Sequence, residues 1–129
     1  MSVSGLTVYL RSEVDVVRAR QAGTALARQI DLPRRARARL DLVIAELATN
    51  VVRHADRGVL TLVPRVGARV GVEVECQDRG PGLVAGQAHA GPSRPGLGLG
   101  LAVVAEVADR LDIASAPGQG TRVRAEVWA

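Results

Sequence analysis

Leu40-Asp-Leu-Val-Ile-Ala-Glu46-Leu-Ala-Thr-Asn50-Val-Val-Arg-His54 is the most strongly patterned stretch of the chain. Leu40, Val43, Ile44, Leu47 and Val51, with Ala48, recur at helical spacing. The stretch therefore reads as part of an amphipathic helix over about residues 34–55, with these side chains as its core face. Beside that face, Leu42, Glu46, Asn50 and His54 recur every fourth position and form a second seam. A carboxylate and a carboxamide one turn apart can orient a water or hydroxyl, and can bind a hard cation such as Mg²⁺ through oxygen. Spacing alone also suits a solvated helix edge, but the surrounding Leu, Ala and Val set the seam against the buried face.

Three further patches lie downstream. Along residues 70–78 the apolar positions are Val70, Val72, Val74 and Cys76, while Glu73, Glu75 and Gln77 face the other way. Asp78 keeps step with the apolar side and so points toward the helix layer. A carboxylate in that place needs a partner. The amino group of a purine ring would serve, with Gly80 and Gly82 letting the ring approach the backbone; a turn-capping aspartate is the plainer alternative. Thr121 shares its parity with Val123 and Val127, and its hydroxyl can bond the same ring or a bridging water. Gly96-Leu97-Gly98-Leu99-Gly100 opens a helix with Leu101, Val103, Val104 and Val107 as apolar residues. Glycine at a helix start bares backbone N–H groups to an anion. Arg94 is placed to reach a terminal phosphate with its bidentate fork, although a solvated loop arginine fits that position equally.

Together the patches describe an ATP site built without a P-loop. All 17 basic residues are arginine, so the lysine that Walker chemistry needs is missing. The dinucleotide fingerprint also fails. In the 96–100 run the third glycine comes one residue early with no strand before it. Gly80-Pro-Gly-Leu-Val-Ala85 does follow a strand, but its continuation cannot form the required helix.

The 129 residues, 47% of them hydrophobic, suit a single domain over 1–129 with a real core. Tyr9 and Trp128 are the only aromatics, which argues against base-stacking platforms. The net charge of +4 includes a cluster at Arg34, Arg35, Arg37 and Arg39, read as a solvated basic helix start. An acidic protein partner suits this charge better than nucleic acid. Cys76, the single cysteine, falls in an apolar strand as a buried small hydrophobe and fits a reducing compartment. With neither a signal-like N-terminus nor a run of about 18 apolar residues, a cytoplasmic protein without membrane segments is expected.

The remaining elements follow from period and punctuation. Strands are expected at 6–10, 59–65, 69–77, 111–116 and 121–128, and further helices at 13–30 and 99–110. Ser12 and Asp15 resemble a capping box for the first helix, whose apolar stripe reads as Val14, Val17, Ala22, Ala25, Leu26 and Ile30. Pro64 places its strand at an edge or on a bulge. Residues 79–98 are Gly-, Pro- and Ala-rich without periodicity and read as a lid over a ligand. The order β-α-α-β-β-loop-α-β-β implies an α+β, two-layer arrangement: helices on one face of a mixed, mostly antiparallel sheet.

Over about residues 40–125 these motifs resemble, in content and order, the GHKL superfamily. These are the Bergerat-fold ATP-binding domains of gyrase, heat-shock chaperones and histidine kinases. The resemblance implies Glu46 as general base, Asn50 as Mg²⁺ ligand and Asp78 as the adenine-reading aspartate above Gly80 and Gly82. It implies Gly96, Gly98 and Gly100 as the phosphate-binding lid anchor, Thr121 beside adenine, and His54 with Leu97 and Leu99 among the nucleotide-binding residues. Asp15-Val-Val-Arg-Ala-Arg-Gln-Ala-Gly23, Gly-Leu-Gly-Leu-Gly-Leu101 and Trp128 look most like the stressosome switch kinases of bacterial partner-switching systems. Such kinases phosphorylate a Ser or Thr of a STAS-domain antagonist and then activate a PP2C-type phosphatase. Arg94 resembles instead a phosphate-contacting arginine of the related anti-sigma factors, which bind a sigma subunit directly.

Overall fold

The computed structural model describes residues 3–79 and 98–129, with side chains in the second segment from Gly100 onward. The expected lid over 79–98, apart from Arg79 and Gly98, and the positions of Gly80, Gly82, Arg94, Gly96 and Leu97 lie outside the described residues. The elements are β1 (Leu6–Leu10), α1 (Glu13–Gln29), α2 (Arg34–His54), β2 (Gly58–Arg65), β3 (Gly71–Asp78), α3 (Gly98–Val107), β4 (Arg110–Ser115) and β5 (Thr121–Trp128). The strands form one sheet in the order β1-β2-β3-β5-β4. Every pairing among the described residues is antiparallel, so the parallel pair implied by a mixed sheet does not occur there. α1 and α2 together connect β1 to its neighbour β2, and short turns join β2 to β3 and β4 to β5.

The α2 face reads out as its period requires. Leu40, Val43, Ile44, Leu47, Ala48 and Val51 are all buried against the sheet. Burying each of the larger side chains contributes about 1.5–3 kcal/mol. The helix starts at Pro33 with no acidic residue in its first turn and arginines there instead, a charge order that opposes the helix dipole. Packing, rather than terminal electrostatics, therefore holds it. From the sheet side Val72, Val74, Cys76, Val123, Ala125 and Val127 complete the core at alternating positions. The Cys76 thiol donates to the Leu47 carbonyl, and burial pushes its pKa up to about 12, so it stays protonated.

The α1 stripe differs from the sequence reading. Val16, Ala19, Gly23, Leu26 and Ala27 are buried, whereas Val14 and Val17 are exposed on the outer surface together with Ala25. The reason is steric. Small residues let α1 lie close on α2, and a Cβ at Gly23 would overlap Ile44 Cδ1. Valine bulk pointed to the wrong face because closeness, not side-chain size, selects the contact stripe. The start of α1 is as expected: the Asp15 carboxylate accepts the Arg11 and Ser12 backbone N–H groups at 2.8 and 3.1 Å. Those bonds hold its pKa below the usual value, the Arg11 bond most.

Pro64 is not on an edge strand or a bulge. β2 sits between β1 and β3, and its register with β3 runs unbroken through Pro64↔Val72. However, the last β1 pairing is Leu6↔Leu62, so β1 has ended by the level of Pro64 and demands no ladder donor there.

The arginine cluster also divides. Arg34, Arg35 and Arg37 are exposed, but Arg39 turns inward as a staple. Its guanidinium donates to the Val107 carbonyl at 3.1 Å, to Asp109 Oδ2 at 3.0 Å and to the Trp128 carbonyl. One side chain on α2 thereby joins the C-terminal end of α3 to the end of β5, where a cation also complements the helix dipole.

Candidate functional site

Helical spacing places Glu46 and Asn50 one turn apart on α2, both half-buried beside the core face. α3 packs antiparallel along α2, and its first turn meets them there. A Cβ built on Gly100 would stand 3.1 Å from Glu46 Oε2 and 3.6 Å from Asn50 Oδ1. The register of this pairing is fixed from the far end by Arg39. Arg39 and Glu46 are seven positions apart on α2, as are Gly100 and Val107 on α3. The absent side chain at Gly100 thus lets the Glu46 carboxylate and the Asn50 carboxamide come close to the N-terminal turn of α3.

The sheet supplies the other wall. Asp78 pairs across the ladder with Gly58 on one side and Thr121 on the other, and keeps the parity of the buried Cys76. A Cβ on Gly58 would lie 2.6 Å from Val51 Cγ1 and 3.4 Å from Asp78 Cα. The turn of α2 after Asn50 therefore rests against the Asp78 end of the sheet. Gly120, at φ +80°, faces the Asp78 backbone so closely that a Cβ would overlap the Asp78 carbonyl oxygen. These glycines let α2 and the start of β5 pack close against the Asp78 end of the sheet.

Ser115 is a site residue that sequence reasoning missed. Its hydroxyl lies 2.9 Å from Thr121 Oγ1 and 3.2 Å from the Gly120 carbonyl oxygen. When Ser115 donates to that carbonyl, Thr121 donates to Ser115 and keeps its lone pairs to accept a bond from a ligand. The signal was present, since Ser115 is in phase with Leu111 and Ile113, but β4 carried no motif to draw attention to it.

Glu46, Asn50, Gly100, Asp78 and Thr121 therefore converge on one end of the fold. His54 is the last residue of α2 and is exposed; among the described residues no hydrogen bond or ion pair joins it to the others. The side chains of Leu99 and Leu97, and the contacts of Gly96 and Gly98, are not among those described. The donor set is oxygen only, carboxylate and carboxamide, which fits a hard cation. Among the described residues no group of three His, Cys, Asp or Glu side chains could hold a metal by itself. A cation here thus needs ligands from its substrate, as Mg²⁺ on nucleotide phosphates provides. No helix among the described residues is long and apolar enough to cross a membrane.

Comparison with known proteins bears on the family and the fold. The profile of the histidine kinase-like ATPase domain matches residues 10–127. The chain is 32% identical over 126 residues to "Serine/threonine-protein kinase RsbT" of Bacillus subtilis (strain 168), covering 94% of both chains. Among solved structures, the histidine kinase domain of the Erythrobacter litoralis EL346 blue-light activated histidine kinase superposes with a TM-score of 0.56 at 21% identity. That match covers 88% of this chain and 59% of the other. The mycobacterial sensor histidine kinase MprB gives 0.54 at 17% identity, over 95% of this chain and 97% of that one. These structural likenesses speak for the fold alone. The chain belongs to the histidine kinase-like ATPase domain (GHKL) family and, within it, to the protein kinases.

Proposed function

We propose that this chain transfers the terminal phosphoryl group of ATP to a serine or threonine of a STAS-domain partner in a bacterial partner-switching system. The observation that carries the reading is the meeting of Glu46, Asn50 and Gly100 beside the Asp78–Thr121 end of the sheet. The relation to a serine/threonine-protein kinase over nearly the whole chain supports the choice of acceptor.

In this reading Asp78 accepts the purine amino group and Thr121, ordered by Ser115, bonds the same ring. The phosphates extend toward the N-terminal turn of α3, where backbone N–H groups and the helix dipole receive them. Asn50, with Glu46 nearby, would hold Mg²⁺, which neutralises phosphate charge when bound. Glu46 orients the acceptor hydroxyl and takes its proton. The hydroxyl oxygen bonds the terminal phosphorus as the bond to the bridging oxygen of ADP breaks. Such transfers depend on positioning and charge stabilisation more than on covalent help from the protein. Arg94, from outside the described residues, would add its guanidinium to the transferring group.

The test is incubation with γ-labelled ATP, Mg²⁺ and STAS-domain proteins, followed by acid-stable label on serine or threonine. Label appearing on none of them, while the chain binds ATP, would overturn the reading. Direct sequestration of a sigma subunit, the other expectation, has no described residue in its favour.

A further inference from the structure

The outer face of the sheet, away from the helices, carries an uneven charge. Toward the Trp128 end Arg65, Arg110 and Arg124 are matched by carboxylates. Arg124 lies 3.5 Å from Glu73 and 3.3 Å from Glu75, Arg65 lies 3.5 Å from Glu73, and Arg110 reaches Asp112 at 3.0 Å and Glu126 at 3.7 Å. The opposite corner has no such balance. The ladder row Leu10↔Gly58↔Asp78 is the last that β1, β2 and β3 share. The next residue at each strand end is an arginine: Arg11, Arg57 and Arg79. Neighbouring strands are about 4.8 Å apart, and like charges set opposite one another destabilise a sheet. All three are exposed, and none forms an ion pair among the described residues. With Tyr9 and Val59 they line a concave site of about 260 Å³. Tyr9 is 68% exposed, far more than an aromatic ring needs to be.

We infer that this corner is a docking site for an acidic segment of a partner protein. A concentration of unneutralised arginine is costly by itself and becomes favourable once carboxylates enter. Arginine and tyrosine are also the residue types that carry most energy at protein interfaces. Charge decides the occupant. An extended nucleic acid backbone leaving the corner along the face would run onto Glu73, Glu75, Glu126 and Asp112, whose charges Arg65, Arg110 and Arg124 already balance, whereas a short acidic segment engages only the corner. The site lies on the opposite sheet face from the catalytic residues proposed above, so it anchors a partner without occupying the nucleotide site. The inference stands apart from the kinase reading.

The test uses the whole chain and a fluorescein-labelled twelve-residue peptide of alternating Glu and Gly, titrated by anisotropy at low salt. Arg11→Glu with Arg57→Glu is expected to weaken peptide binding at least tenfold. Arg34→Glu with Arg37→Glu, an equal charge change at the exposed start of α2, should weaken it less than threefold. Equal loss in both double variants would show attraction to net charge only and overturn the proposal. So would tighter binding of a dT12 oligonucleotide that responds to the same corner variant. Thermal unfolding of each variant and binding of a fluorescent ADP analogue are measured alongside. Retained nucleotide binding in the corner variant separates this result from the fate of the ATP-site reading.

Discussion

Replacing Gly100 by alanine separates stability from function at the centre of the site. Alanine has a better helix propensity than glycine by up to about 1 kcal/mol, less near a helix start. Against this, the new methyl stands 3.1 Å from Glu46 Oε2, a few tenths of an ångström inside ordinary contact. The obstructing atom is the tip of a side chain with three rotatable bonds, so the carboxylate can swing aside at small cost. The two effects nearly cancel, and stability should stay within about 1 kcal/mol, or about 4 °C in melting temperature. The displaced carboxylate is the one proposed to orient the acceptor, and misplacement of about 1 Å can cost about a hundredfold in rate. Gly100→Ala is therefore expected to melt within about 4 °C of the parent and to lose at least about tenfold in phosphoryl transfer. Differential scanning fluorimetry and labelled-ATP transfer to a STAS-domain protein measure the two. Undiminished transfer in a folded variant would refute the shared site. A melting point lower by more than 8 °C would refute the packing argument.

Further outcomes follow from the same geometry. Gly120→Ala combines a left-handed backbone with overlap onto the Asp78 carbonyl, so it should cost more than the roughly 1–3 kcal/mol of backbone strain alone. Gly118→Ala, at φ +76° but with nothing within 4 Å, should pay strain only and melt at the higher temperature of the two. Asp78→Asn removes a charged acceptor worth about 1.5–3 kcal/mol, and calorimetry should show ATP affinity falling about 10- to 100-fold. Burial pushes the Asp109 carboxyl up, but the Trp128 N–H and Arg39, with Arg69, hold it below its ordinary value of 3.8. A depressed carboxylate stabilises above the unfolded value and loses that contribution as pH falls through the folded one. Urea unfolding should therefore show Asp109→Asn less stable than the parent at neutral pH, with a gap that narrows only below pH 3.8. With Asp109 about 42% exposed, the gap should be modest.

What the sequence revealed, and what it hid, follows from the range of each signal. The α2 face and the parity of Asp78 and Thr121 were legible because large apolar residues and strict alternation report burial locally. Glu46 and Asn50 were legible for the same reason, as neighbours of that face on one helix. The α1 face was not, because Ala19, Gly23 and Ala27 are chosen for closeness to α2, and small residues leave only a weak mark in an apolar pattern. Arg39 looked like a member of a solvated cluster, since its partners Val107, Asp109 and Trp128 are about 70 to 90 positions away. The Arg11, Arg57 and Arg79 row needs strand register before it can be seen at all.

The most direct test of the account is Glu46→Ala, measured for both ATP binding and phosphoryl transfer to a STAS-domain protein. Glu46 is half-buried rather than part of the core, so the variant should fold and bind ATP within a few-fold of the parent. Its transfer rate should fall by at least about a hundredfold, the scale that a positioned general base contributes. Transfer within a few-fold of the parent would contradict Glu46 as the base, as would a loss of ATP binding that accounts for the whole effect.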